Sequence, residues 1–529
     1  MKKIVFVTLL SLILIDSTFS QNTFQGTVSC GFLAEAHSIC HTTDNGVAMA
    51  GVAPNSLAPG YVTICAVKLD AQGVLSWAKT IGGLESETGN EIIQTNDGGY
   101  VIAGETISYG AGQADIYVVK LDANGNLLWT RTVGGTGDEL GSSIIETDDG
   151  SLIVVGSTTT FGSGFDDVYI VKLSSGGNLE WTRTIGGGLE DAGKSIIQSN
   201  DGGFVVGGST NSFGAGLKDF YILKLDSTGF LQWQRTIGGS NTDECSSVVH
   251  TNDGNYAFCG ETYSFTAGDF DCYVVKLDSI GNLMWTKSIG GVNQEWNCKM
   301  IETHTGDLAI ACYTTSFGYG SGDFYSIKLD SSGNLIWSMT VGGAGGEEAW
   351  CVAETDNGEL IYAGSTNSFS LNQGDNEIFY VQFDSLGQTC GNLINNTPTL
   401  GSGGIVGNGS GSTMSTTGGL IGTGGVIQSI GVMNMVCVQV GINEISTNDN
   451  IEVYPNPGNG IFHISLNQNA VLDDYHLEIY NVMGELVKAQ SLNQNRTGPD
   501  VDLTSQPDGI YFVELTLNEK VYMSKIVIQ

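Results

Sequence analysis

From residue 21 to 390 the chain reads as short apolar runs separated by Gly- and Asx-rich punctuation. One stretch shows the pattern. Ser142 to Thr147 is a short apolar run closed by Asp148-Asp149-Gly150, and Leu152 to Thr158 is β-branched and apolar. Phe161 to Asp167 is a Gly-rich loop. Val168 to Leu173 is again β-rich, Ser175-Gly176-Gly177-Asn178 turns the chain, and Leu179 to Thr184 carries a tryptophan. This predicts four short strands with tight hairpins after the first and the third. Asn and Gly stand in the turns because the positive φ that tight hairpins need costs other residues more.

The pattern repeats. Trp77, Trp129, Trp181, Trp233, Trp285 and Trp337 are spaced 52 residues apart, as are Gly46, Gly98, Gly150, Gly202, Gly254, Gly306 and Gly358. Lys-Leu-Asp at 68–70 returns at 120–122, 224–226, 276–278 and 328–330. A four-stranded sheet that is apolar on both faces cannot bury itself; seven such sheets stacked about an axis can. The expected fold is all-β, a seven-bladed β-propeller over 21–390, with the Trp as an inter-blade packing residue. Asp384 to Gly391 lacks the Trp strand, whereas Phe24-Gln25-Gly26-Thr27-Val28 matches it, so residues 23–29 are expected to complete the last blade. The unit at 117–139, YVVKLDANGNLLWTRTVGGTGDE, resembles the repeats of seven-bladed propellers in many bacterial secreted proteins, and its strand order is similar to kelch-type blades. That resemblance implies a fold and no particular activity.

The two ends read differently. Lys2 and Lys3 precede the apolar Ile4–Ile15, and Thr18 and Ser20 stand before Gln21, which predicts a signal peptide over 1–20. The apolar stretch is too short for a membrane helix, and no other segment is long enough. Residues 391–445 carry no charge until Glu444, and 400–431 hold 12 Gly, so a linker is expected, with short strands conceivable at Ile405-Val406, Leu420-Ile421 and Val426-Ile427. Period-two alternation from 451 onward predicts a small β-sandwich over 446–529. Tyr454-Pro455-Asn456-Pro457 with Gly460, then Asn481-Val482-Met483-Gly484, Pro507-Asp508-Gly509-Ile510-Tyr511, and Lys525 before the closing Ile-Val-Ile resemble the type A C-terminal sorting domain of the type IX secretion system of the Bacteroidetes. The resemblance implies the type IX machinery as partner of 446–529, a secreted or outer-surface location, and release or attachment to surface polysaccharide.

Charge and chemistry narrow the function. With 20 Lys+Arg against 56 Asp+Glu the formal charge is −36, which excludes a nucleic-acid binder that needs a basic face. Eleven Cys include no C-x-x-C; most fall in strand-like runs as small buried hydrophobes, and Cys390 with Cys437 is the pair expected to bond. Six His form no zinc motif, and neither G-x-S-x-G nor a P-loop occurs, so no catalytic or cofactor-binding residue is assigned. One acidic series has the repeat period: Glu35, Glu87, Glu139, Asp191, Asp243, Glu295 and Glu347. It is either a carboxylate ring at one channel mouth, a candidate site for a cation such as calcium, or seven identical hydrogen-bonding positions at blade joints, and the second is favoured. Asp115, Asp167, Asp219, Asp271 and Asp323 form a second series on the same face, beside loops whose Gly and aromatics could meet a ligand. The Lys68, Lys120, Lys172, Lys224, Lys276 and Lys328 series is expected to pair with nearby carboxylates. The reading is a non-enzymatic binding or scaffold propeller with a polysaccharide or protein ligand. The alternatives are a carbohydrate-binding adhesin and a polysaccharide hydrolase or lyase.

Overall fold

The computed structural model describes residues 23–390 apart from 32, 267 and 371–374, seven strands between 393 and 439, and most of 451–528. The expected signal peptide lies outside the described residues. The chain divides into two compact units, one spanning Gln21–Val440 and the other containing Gly441–Gln529. No described helix is long and apolar enough to cross a membrane.

In the third repeat, Glu139–Glu146, Leu152–Thr158, Asp167–Leu173 and Leu179–Gly186 form an antiparallel meander. The same order recurs in all seven sheets. In the seventh, Glu347–Glu354, Leu360–Thr366 and Glu377–Phe383 receive Thr23–Ser29 as the fourth strand, with Thr27 opposite Phe379. Inner strands touch their neighbours all round, the first against the last, so the ring closes through strands from both ends of the repeat region.

The core lies between blades. One cluster joins Val101, Ala103, Ile116 and Val118 of the second sheet to Leu152, Val154, Tyr169 and Val171 of the third. This is why the middle strands are apolar on both faces. The tryptophans seal the outer joints. A Cβ on Gly229, which turns at φ 82°, would lie 2.8 Å from the ring of Trp181 in the preceding blade. Arg183 sits 4.8 Å over that ring and donates to the Thr228 carbonyl at 2.9 Å. Phe24 takes the tryptophan's place against Gly73 at the closing joint.

The segment expected to be a linker instead runs around the rim. Leu393–Asn395, Thr399–Gly401, Ile405–Gly407, Ser412–Met414, Leu420–Gly422 and Val426–Ser429 each pair antiparallel with the outer strand of blades six, five, four, three, two and one in turn. Val432–Gln439 then pairs with Thr23–Ser29 on blade seven. Each blade is therefore five-stranded. The physical reason is edge protection: an outer strand left unpaired offers a row of free N–H and C=O groups, and strips of three or four residues cover it without creating a long new edge. Cys390 is disulfide-bonded, and the side chain of Cys437, its expected partner, lies outside the described residues. Gln25 lies opposite Cys437 in the sheet and its amide side chain donates to the Cys390 carbonyl.

In the tail, Ile451–Tyr454, Ile461–Leu466 and Asp500–Asp502 form one antiparallel sheet. Tyr475–Asn481, Leu486–Leu492, Gly509–Leu517 and Lys520–Ile528 form the other. Phe462 and Val501 of the first share a core with Leu477, Val513 and Ile526 of the second, as a sandwich requires. Of the sorting motif, Tyr454 is exposed, Tyr511 is buried with its hydroxyl donating to the Pro507 carbonyl, and Gly460 turns at φ 94° where a Cβ would meet Thr504 backbone. Gly509 opens its strand, and Lys525 pairs with Phe512. Pro455, Asn456, Pro457 and Gly484 lie outside the described residues.

Candidate functional site: the central cavity

Every inner strand carries a β-bulge, and the bulges build the site. A bulged residue has no partner opposite it and its side chain is re-aimed out of the ladder. The residues skipped in the register are His37, Asn90, Ser142, Lys194, Ser246 and Trp350 in blades one to five and seven. In blade six the skip covers two residues, Asn297 and Cys298, and Asn297 takes a left-handed φ of 56°. Asn297 lines the cavity while Cys298 is fully buried in the core. The bulged side chains converge on a central cavity of about 450 Å³, lined further by Glu244, Glu261, Phe270, Trp296 and Lys299.

The lining is asymmetric. Aromatic groups gather on one arc, with the His37 and Trp350 rings 5.0 Å apart and Trp296 edge-on to Tyr313 at 5.6 Å. Charge gathers on another. Glu244 pairs with Lys218 at 3.2 Å. Burial, then the neighbouring Glu244, pushes Glu261 up to about 7, although the Asn297 amide donates to it at 2.6 Å. Lys194 opens into the cavity yet is walled by protein, and this desolvation lowers its pKa. The Lys299 ammonium donates to the Ser246 carbonyl at 2.7 Å. The site thus holds one carboxyl that takes up a proton near neutral pH, a partly desolvated amine and an aromatic wall.

The periodic carboxylates do something else. Glu87, Glu139, Asp191, Asp243, Glu295 and Glu347 are fully buried. Each accepts the amide of the glycine four residues earlier, for example Gly83 to Glu87 at 2.9 Å and Gly343 to Glu347 at 2.7 Å. At all of them but Asp191, a threonine of the second strand donates to the other oxygen, as Thr158 does to Glu139 at 2.7 Å. They tie blade joints and do not ring an open mouth. Glu35 is not one of them. The Ala34 amide donates to the Asn376 carbonyl, as the Glu347 amide does to Gly322, so Ala34 holds the position and Glu35 falls one residue later. The first repeat carries one extra residue beyond this point: Asn45, at φ 63°, turns where Gly98 turns in the second, and Val47 pairs with Leu69 across a hairpin one residue longer than that from Tyr100 to Leu121. Beside Glu35, His37 holds its carboxyl below the usual range.

The second acidic series meets the first across the joints. Asp115 and Glu139 both border Gly134, and Asp323 and Glu347 both border Gly342. Burial first, then the facing carboxylate, raises Asp115, takes Asp167 to about 6 and takes Asp323 to about 7. The Oδ1 atoms of Asp115, Asp167, Asp219 and Asp323 are buried without a hydrogen-bond partner. The loop aromatics pack onto buried tyrosines: Phe161 stacks on Tyr169 at 5.5 Å and Phe317 lies 5.4 Å from Tyr325. Each lysine of the repeat pairs with the Asp of its own first hairpin or its equivalent, from Lys68–Asp44 at 2.9 Å to Lys328–Asp307 at 3.2 Å. In the turns, Asp122 Oδ1 accepts the amides of Asn124 and Asn126, which is hairpin chemistry. The cavity residues escaped the sequence reading because no single residue type runs through their positions from repeat to repeat.

Comparison with known proteins agrees with the two units. Residues 452–529 match the family model "Secretion system C-terminal sorting domain". Residues 114–367 match the model "Outer membrane protein assembly factor BamB", and 95–127 match a beta-propeller domain of unknown function. The chain is a repeat β-propeller carrying a type IX C-terminal sorting domain, and export to the cell surface or beyond follows from that tail. A curated relative, "Regulatory protein FlaEY" of Caulobacter vibrioides, is 29% identical over 129 residues, 22% of this chain and 13% of that protein. Among solved structures, "polysaccharide lyase Uly1" covers 66% of this chain and 90% of its own at 11% identity and TM-score 0.41. The endo-1,5-alpha-L-arabinanase of Thermotoga petrophila RKU-1 covers 69% and 100% at 12% identity and TM-score 0.26. Likenesses this distant carry no activity over to this chain.

Proposed function

We propose that the exported protein is a non-enzymatic binding module that takes a saccharide unit into its central cavity. The observation that carries this reading is the set of unlike bulged residues on a scaffold that is otherwise repeated blade by blade. A purely structural position would repeat its residue, as the joint carboxylates do. Aromatic faces beside Asn, Ser, Glu and Lys offer both stacking and hydrogen bonding, which a sugar ring uses together. The test is a panel of polysaccharides and oligosaccharides against the full exported chain and the Trp350→Ala and Lys194→Ala variants. At least one glycan should bind, and each variant should weaken it about tenfold or more, the loss that 1.4 kcal/mol represents. No binding across a broad panel, or binding that both variants retain, overturns the reading.

A second reading has its own observation. Glu261, raised to about 7, stands beside Glu244, so one carboxyl is poised as an acid near a second carboxylate. Pairs of this kind serve glycoside hydrolysis. Product release from a bound glycan, abolished by Glu261→Gln, would replace the binding module with a hydrolase or lyase.

A further inference from the structure

We propose that Cys30–Cys65 and Cys298–Cys312 are disulfides in the exported protein, joining the Cys390 bond as two further covalent staples of the propeller. The Sγ atoms of Cys30 and Cys65 lie 2.9 Å apart and those of Cys298 and Cys312 2.6 Å apart. Non-bonded heavy atoms settle at roughly 3.5–4 Å, so four free thiols at these distances are compressed. All four side chains are buried, Cys65, Cys298 and Cys312 completely. Their surroundings are apolar: Val28, Val67 and Ile378 around the first pair, Val274, Ile310 and Ile327 around the second.

The backbone has been adapted to the second pair. Five of the other bulges present a polar side chain to the cavity and the sixth presents Trp350, each by skipping one residue. Blade six skips two, holds Asn297 at φ 56°, and turns Cys298 inward against Cys312 on the adjacent strand. A non-glycine residue persists in that conformation only where its surroundings over-determine it. The first pair sits at the joint where the ring closes. Cys30 follows the closing strand Thr23–Ser29 of blade seven, and Cys65 lies in Val62–Leu69 of blade one. A bond there covalently locks the last blade to the first.

A third thiol, Cys272, lies with Cys298 and Cys312 inside 4.8 Å, a set that could hold a soft metal ion. Charge decides against the ion. Metal binding needs thiolates, and the carboxylates of Glu261 and Glu295 lie close enough to Cys272 to interact repulsively with a thiolate there. The nearby Lys299 ammonium is committed to the Ser246 carbonyl. A net negative centre buried there is costly, whereas a disulfide is neutral. The reaction is thiol–disulfide exchange with the disulfide of an exported thiol oxidant. One thiolate attacks that disulfide, the second cysteine displaces the mixed disulfide, and the oxidant leaves as a dithiol carrying the two protons and two electrons. Export places the chain where such bonds persist.

The test is thiol counting on the full chain recovered from outside the exporting cell, alkylated under denaturing conditions without reductant and mapped by mass. Expected are linked peptides 30–65, 298–312 and 390–437, with Cys40, Cys245, Cys259, Cys272 and Cys351 alkylated. Alkylation of Cys30, Cys65, Cys298 and Cys312 overturns the proposal. So does a bond from Cys272 to either cysteine of the second pair, or a stoichiometric metal released on denaturation. As an independent arm, Cys30→Ala and Cys312→Ala should each lower the thermal midpoint of oxidised protein and leave that of reduced protein little changed; equal losses in both forms would point to packing alone. Neither readout depends on what the cavity binds.

Discussion

At the scale of single residues, the joint carboxyls set the pH behaviour. Asp167 and Asp323 have folded pKa values raised to about 6 and about 7 by burial and by the facing Asp191 and Glu347. A raised carboxyl favours the folded state fully below its unfolded pKa of roughly 4, and this contribution is lost as pH rises through 6 to 7. The hairpin aspartates act in the opposite sense. Against a desolvation cost, Lys120 and Thr95 hold Asp97 at about 2, and Lys224 and Ser199 do the same for Asp201. That contribution is lost as pH falls from about 4 towards 2. Thermal unfolding followed from pH 3 to 8 should therefore show its highest midpoint near pH 4–5. Asp167→Asn and Asp323→Asn, which replace an unpartnered buried oxygen by a donor aimed at the facing carboxylate, should raise the midpoint at pH 8 and leave it nearly unchanged at pH 4.5. A drop at pH 8 would mean that the pairs are held by something other than a shared proton.

At the scale of the element, the hairpin turns and the belt are where sequence and packing meet. Gly229→Ala should cost about 1–3 kcal/mol from its positive φ, and more because the new Cβ meets the Trp181 ring; Gly202→Ala, at φ 76° with open space around it, should cost only the first part. Denaturant melts of the two variants separate strain from packing. The belt is held by pairings of three or four residues on six blades and of seven on the last, and by the disulfide at Cys390, which on the expected pairing with Cys437 closes its whole length. In a chain-entropy estimate a loop of this length is worth about 4 kcal/mol, so Cys390→Ser should lower stability by several kcal/mol and expose the outer strands to protease cleavage in the 393–439 region first. The belt was half legible: three of its apolar pairs stood out in an uncharged Gly-rich stretch, but nothing local says that strips of three residues will pair. They pair because seven unpaired strand edges await them.

At the scale of the whole molecule, the two units divide the work of function and delivery. Removal of 446–529 should leave the propeller inside the cell envelope, measured by surface protease accessibility; normal display would refute the role of the tail. The repeat made the ring, its seven sheets and the closing role of residues 23–29 readable in advance. It also misled at Glu35, where a single extra residue in the second hairpin of the first repeat puts Ala34 in the joint position and leaves Glu35 one residue beyond it. Equal spacing in sequence is equal position in space only while the register holds.

The sequence by itself determined what recurs. Apolar alternation, Asx-Gly turns and one Trp per repeat fix local strands and the need for neighbours, because each is a short-range consequence of backbone geometry and burial. It also determined the sorting tail, whose motifs lie in order along the chain. Tertiary structure alone decided the cavity and the belt. The cavity is made of His37, Asn90, Ser142, Lys194, Ser246, Asn297 and Trp350, one bulge from each blade and far apart in sequence. They differ from one another, and a search for periodicity passes over positions that do not repeat. The belt follows from edges that exist only once the ring has closed, so its strands are written in the fold of residues 23–383 and only faintly in their own.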